Sequence, residues 1–418
     1  MPAPTAPLAT GIHGAIANSG RFLFVDALRG LAALSVLLFH FYGYLSQWST
    51  VERLPRPIHL VITHGDQGVF IFFVLSGFVI AYTVGQVRVT ARYLGRFALR
   101  RSLRLDPPYW TIILITYAYL YAHQRVTGIP QPRPGLWNWT TLPINFLYLN
   151  KLLHRPTIVT VGWTLCLEVQ FYLVYVICFG LMQRLAIICG GRIGLARTLV
   201  FAPLVAYSLA LSTGWAAEFM SGLFITDWFL FFLGVSVAWA LTGQVRPLWA
   251  WSLIGITALT AVRGPPLETI VGVVTAAAIL ALGQLGRLRD TCNWRWIQYL
   301  ARISYSLYLV HPLLGHRILE LLLRNTPPGE VPSPFWSVIG FSAATGASFL
   351  AAHLMNIWLE RPAQALGRRV RLQDGAAHSN ELSSVPRAAM ALAAPGHDRV
   401  GGNLPSIETE PSRDPAHG

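Results

Sequence analysis

Apolar residues in this chain gather into blocks instead of alternating with polar ones. The runs 31–41, 69–84 and 229–241 contain no Asp, Glu, Lys or Arg. Apolar blocks of about 15 to 22 residues bounded by Arg, Pro or Gly have the length needed to cross a hydrocarbon core about 30 Å thick. The pattern predicts an all-α polytopic membrane protein, a bundle of about ten transmembrane helices. They are expected near 24–44, 66–85, 108–123, 158–182, 198–213, 219–241, 247–262, 267–285, 297–316 and 335–358. The flanks 1–20 and 372–418, rich in Ala, Pro, Ser, Gly and charge, lack apolar periodicity and are expected to be disordered tails around a membrane domain at 21–371. The longest connection, 124–157, contains Pro130, Pro132, Pro134, Trp137 and Trp139 and is expected to cap the outer end of the bundle. No internal repeat is evident.

Composition supports this picture. Of 418 residues, 54% are hydrophobic and 12% charged, with mean hydropathy +0.49. Soluble domains are about 25% charged, so a soluble globular class is excluded. The net charge of +14 would suggest nucleic acid in a soluble protein. Here the arginines fall in short connections, densest at Arg88, Arg92, Arg96, Arg100, Arg101 and Arg104 and again at Arg361, Arg368, Arg369 and Arg371. The alternate connections, holding Arg53, Arg56, Arg125, Arg133, Arg155, Arg263, Arg317 and Arg324, are poorer. This bias predicts a cytoplasmic N-terminus and argues against nucleic acid. Lys151 is the single lysine, a usage that suggests a GC-rich bacterial genome and so a bacterial inner membrane. The four cysteines form no close CxxC pair, and neither a disulfide framework nor a metal site is expected.

An ionisable group inside a span costs about 2.5 to 3.5 kcal/mol on translocon scales, so those present need a reason. Arg29 and His40 are eleven residues apart in the first predicted helix. Eleven steps of about 100° put them on one face, about 16 Å apart. By the same ruler His40, Ser76, Glu168 and His311, on four helices, fall in the outer half of the core, while Arg29 and Arg302 lie low, near the arginines at 100–104. Such a layout suits acyl transfer from a thioester whose nucleotide carries phosphates. Guanidinium groups bind phosphate oxygens, and an imidazole can take the proton of an attacking hydroxyl. Each residue also has a plainer reading: a snorkelling arginine, a satisfied core histidine, a helix-packing Ser76, a Glu168 paired with a buried arginine, and an arginine cluster that only sets topology.

The motifs Asp26-Ala-Leu-Arg29-Gly30 with His40, Phe72-Phe73 with Ser76-Gly77, Arg100-Arg101 with Arg104, Trp163 to Glu168 with Phe171-Tyr172, Ile303 to Pro312, and Glu360-Arg361-Pro362 occur in one order. Together they resemble the acyltransferase-3 family of membrane proteins, over about 22–370. The resemblance implies His40 as the essential group, with Glu168 also assigned to catalysis. It places Arg100, Arg101 and Arg104 on the donor, to which the reading of the spans adds Arg29, with Ser76, Tyr308 and His311 assigned to the substrate. It further implies acyl-CoA, in the first instance acetyl-CoA, as co-substrate, no permanently bound cofactor or metal, and a carbohydrate or glycolipid hydroxyl as acceptor. The chain would be the standalone type, without a fused SGNH-hydrolase-like domain. The rival expectation is a multi-span transporter, since intramembrane charges also mark substrate pathways.

Overall fold

In the computed structural model, residues 21–46, 55–85, 87–130, 133–260, 267–323 and 333–372 are described. The tails expected at 1–20 and 372–418, except Leu372, together with Arg53, Arg263 and Arg324, lie outside the described residues. Among the described residues there is no strand. The helices are α1 (Leu23–Ser46), α2 (Arg56–Thr63), α3 (Gly68–Val84), α4 (Ala91–Thr127), α5 (Thr141–Phe146), α6 (Gly162–Ile188), α7 (Ile193–Ser212), α8 (Trp228–Leu241), α9 (Pro247–Thr260), α10 (Leu267–Gln284), α11 (Arg295–Leu323), α12 (Pro334–Met355) and α13 (Arg361–Arg369).

Every predicted span falls largely on helix, but seven of the described helices, not ten, are long and apolar enough to cross a membrane. The other three differ for physical reasons. The run 108–123 is only the second half of α4, whose first half carries the arginine cluster. The fourteen residues of α9 reach about 21 Å at 1.5 Å per residue, short of a hydrocarbon core. Helix α11 interleaves Arg295, Arg302 and Arg317 with its apolar residues.

At the centre stands α8, with all fourteen of its residues buried, as expected of a helix apolar on every side. It packs against α3 through two glycines. A Cβ on Gly77 would run into the Phe231 carbonyl oxygen, and one on Gly234 into the Val74 carbonyl oxygen. Small residues of this kind let helix backbones meet where no hydrophobic force drives association. Gly30 does the same for α1 on α11, where a Cβ would come 2.6 Å from the Ala301 nitrogen. Helix α11 therefore lies between α1 on one side and α12 on the other.

Helix α4 runs for 37 residues through Pro107 and Pro108. The Thr90 side chain caps its start by accepting from the Tyr93 amide at 3.1 Å, and Gly128 ends it in the left-handed region at φ 70°. Proline lacks an N–H, so two intrahelical bonds are missing at the pair. The carbonyls left without an intrahelical donor are those of Leu103 and Arg104; on the next residue the Tyr305 hydroxyl of α11 donates to Leu105 O at 2.7 Å. Beyond α4 the predicted cap is built around buried Asn145. Its amide donates to Thr141 O at 2.8 Å and Pro156 O at 3.0 Å, and its oxygen accepts from the Ile158 amide at 3.0 Å. The cap rests on α4 through Trp137, which donates to Gln124 Oε1 at 2.8 Å, and through Tyr148, which donates to Asp106 Oδ1 at 2.9 Å. Burial holds the Tyr148 phenol well above its ordinary range, so it stays a donor to that carboxyl group.

Candidate active site

Glu168 and Tyr172 sit four residues apart on α6 and share one face. The Tyr172 hydroxyl donates to Glu168 Oε1, and from α3 the Ser76 hydroxyl donates to the same oxygen at 2.6 Å. The Arg101 guanidinium lies over the Tyr172 ring, 4.3 Å from its centroid. These residues line a narrow cavity of about 90 Å³ with Arg29, Arg104, Thr164, Tyr305, Tyr308 and Glu360, its remaining wall being largely apolar.

A second cavity, about 720 Å³, shares Arg29, Arg104, Ser304, Tyr305 and Glu360 with the first. Its wall holds seven arginines, Arg21, Arg29, Arg100, Arg104, Arg302, Arg361 and Arg368, against two carboxylates, Asp26 and Glu360. Asp26 is engaged by Arg21 at 2.8 Å and lies 3.8 Å from Arg29. Buried Glu360 accepts from Ser306 at 2.6 Å, Asn356 at 3.0 Å and Gln364 at 3.0 Å, and so is spent on neutral donors. Its position follows from a π-helical stretch, Asn356–Glu360, between α12 and α13; such bulges recur at functional sites. Half-buried Arg104, common to both cavities, has no hydrogen bond or ion pair among the described residues. The larger chamber is lined by a clear excess of cationic side chains.

His40 and His311 form a separate pair. His40 Nδ1 is 2.8 Å from Val36 O, His311 Nδ1 is 3.0 Å from Leu307 O, and His311 Nε2 is 3.4 Å from His40 Nδ1. His311 is fully buried and His40 half-buried. Neither is among the residues lining the two cavities. Tyr308 joins the two regions: it lines the narrow cavity, bonds Thr164 Oγ1 at 2.9 Å, and has its ring 6.0 Å from that of His311.

The structure thus brings Ser76, Glu168, Tyr308, Arg29, Arg101 and Arg104 to one cavity, Arg100 to the adjoining one, and His40 to His311. Glu168 makes no hydrogen bond to His40; its described partners are Ser76 and Tyr172. The sequence motifs and arginine clusters included Tyr172, Arg361 and Arg368 without giving them a site role, and His316 was not singled out. Tyr172 was detectable from its spacing to Glu168. His316 follows His311 beyond Pro312, its ring 6.3 Å from His40 and stacked on Tyr44 at 5.6 Å.

Residues 22–353 match the family model of an acyltransferase domain, acyltransferase-3. The chain belongs to the acyltransferase-3 family. This membership makes it a membrane acyltransferase and decides against transport as the leading reading. Acyltransferase MdmB of Streptomyces mycarofaciens is 26% identical over 386 residues, which cover 82% of this chain and 92% of that protein. No solved structure matches the chain. Most of the matched stretch is the bundle just described, and it contains His40, His311 and all the arginines of the larger cavity except Arg21, Arg361 and Arg368.

Proposed function

We propose that this acyltransferase moves an acyl group, acetyl in the simplest case, from acyl-CoA to a sugar hydroxyl on a surface polysaccharide, glycolipid or secreted metabolite. The observation that carries the proposal is the paired chamber, a wide cavity walled by seven arginines opening on a narrow, mainly apolar one. The nucleotide end of CoA carries phosphates, which guanidinium groups bind through charge-assisted bonds. A pantetheine arm is slender enough for the inner space, where Val69, Phe72, Phe73 and Leu165 offer apolar contact and Ser76, Thr164 and Tyr308 offer hydroxyls. His40 acts as general base on the acceptor hydroxyl. The hydroxyl oxygen bonds to the acyl carbon, the carbon–sulfur bond breaks, and the proton held by His40 passes to the departing thiolate. The reading places the arginine chamber at the cytoplasmic face of a bacterial inner membrane, with the N-terminus on that side.

The test uses purified protein in detergent or nanodiscs, acetyl-CoA and a panel of glycan acceptors, with free CoA followed by a thiol reagent. CoA release that depends on the glycan, abolished in a folded His40→Ala variant, is the expected result. Undiminished release by His40→Ala removes His40 from the mechanism, and substrate flux without CoA consumption returns the transport reading.

A further inference from the structure

Two backbone carbonyls settle which nitrogen of each paired histidine carries its proton. A ring nitrogen held 2.8 to 3.0 Å from a carbonyl oxygen must donate, because two lone pairs would otherwise face each other. In the neutral pair, His40 is therefore protonated at Nδ1 toward Val36 O, and His311 at Nδ1 toward Leu307 O. His311 Nε2 is then a bare acceptor, and it stands 3.4 Å from His40 Nδ1. His40 Nε2, the remaining atom, carries a lone pair and has no hydrogen bond among the described residues.

We infer that His311 is a positioning residue for His40: with Val36 O it holds the Nδ1–H tautomer, leaves Nε2 as the working base, and shares the Nδ1 proton when Nε2 is charged. This rests on His40 being the base of the proposed reaction. It differs from a substrate-binding role for His311, whose side chain is fully buried. The division of labour parallels that of any base oriented through its second ring nitrogen. In the step itself Nε2 takes the hydroxyl proton, His40 becomes an imidazolium whose Nδ1–H is bonded to His311 Nε2 and Val36 O, and the Nε2 proton leaves with the CoA sulfur. No proton needs to leave the pair for turnover. The other groups near His40 come from three elements: Tyr44 on its own helix, His316 on α11, and Asp66 in the turn Gly65–Gln67 ahead of α3, whose charge reaches His40.

Two side-chain replacements separate orientation from packing. His311→Leu keeps the volume and removes the acceptor; His311→Gln keeps an acceptor oxygen. The expected result is a loss in kcat of about hundredfold for His311→Leu, the low end of what a positioned acid–base group contributes. KM for acetyl-CoA is unchanged, and His311→Gln recovers most of the rate. In parallel, nitrogen NMR of ¹⁵N-histidine protein in nanodiscs, with His40 assigned by its loss in His40→Ala, should show the Nδ1–H tautomer in the wild type and a mixture in His311→Leu. Full kcat in His311→Leu, equal loss in both variants with an unchanged His40 tautomer, or an Nε2–H tautomer in the wild type each overturn the inference. Should the wild type release no CoA with any acceptor, the proposed reaction fails, while the nitrogen spectrum still decides the pairing.

Discussion

Arg104 offers a test in which the two possible roles of a buried cation predict opposite signs. It lines both cavities, shares them with Arg29, and has no hydrogen bond or ion pair among the described residues. A guanidinium kept for the architecture would be paired, and removing it would strand its partner at a cost of about 3 to 5 kcal/mol. One kept for a ligand leaves nothing stranded. Arg104→Met, which preserves much of the stem and its adaptability, is thus expected to leave thermal stability unchanged or slightly raised. Donor binding should weaken by the value of a charge-assisted hydrogen bond, about 1.5 to 3 kcal/mol. At about 1.4 kcal/mol per tenfold, this is a ten- to hundredfold loss. Purified protein in nanodiscs permits both readings, intrinsic tryptophan fluorescence on heating for stability and calorimetric titration with CoA for affinity. A lower melting temperature with unaltered CoA affinity would refute the reasoning and make Arg104 a structural cation.

Glu168→Gln keeps an oxygen for the Ser76 and Tyr172 hydroxyls and should stay folded, whereas Glu168→Leu leaves Tyr172 only Ser76 Oγ, 3.3 Å away, and the Ser76 donor no acceptor, and should lose about 1 to 3 kcal/mol, seen as a lower melting temperature for the leucine variant alone. Gly77→Val drives side-chain atoms into the Phe231 carbonyl on α8, where backbone cannot give way; a destabilisation of about 1 to 3 kcal/mol or more is expected, read as loss of the monodisperse peak in size-exclusion chromatography, and wild-type behaviour would show that α3 and α8 pack differently. For orientation, single cysteines at exposed Arg368 and Trp139, in a background with the native cysteines replaced, should react with an impermeant maleimide from opposite sides of inside-out vesicles, Arg368→Cys from the cytoplasmic side.

The membrane architecture was legible because one physical demand, apolar length, leaves a one-dimensional trace. Helix α8 is the clearest case, since being apolar all round is both its sequence signature and its fate in the core. The trace weakened where helices mix roles. Pro107 and Pro108 invite a helix boundary, yet α4 passes through them, packed beside the pair against Tyr305 of α11, whose hydroxyl bonds Leu105 O from 200 residues away in sequence. The depth estimate that grouped His40, Ser76, Glu168 and His311 addressed height along the bundle normal and carried no information on position across it. The four residues form two separate pairs, Ser76 with Glu168 and His40 with His311. The arginine-lined chamber was visible only in part: Arg29, Arg100, Arg104 and Arg361 belong to recognisable motifs, but that Arg361 and Arg368, which follow the π-helical stretch Asn356–Glu360, share a cavity with the others was not. Periodicity assumes a regular helix and cannot report a bulge.

Helix α4 has a mechanical side. Thirty-seven residues at about 1.5 Å each make a rod of about 55 Å, nearly twice a hydrocarbon core. Arg100, Arg101 and Arg104 are mounted before the proline pair, and Trp110, Tyr117 and Tyr121, which bear on Phe146 and Trp137 of the cap, are mounted after it. The missing hydrogen bonds at Pro107 and Pro108 make that point the most pliable of the rod. The two arms of the rod, one carrying the guanidinium groups and the other bearing on the cap, therefore meet at a built-in joint where their angle is the cheapest thing in the helix to change.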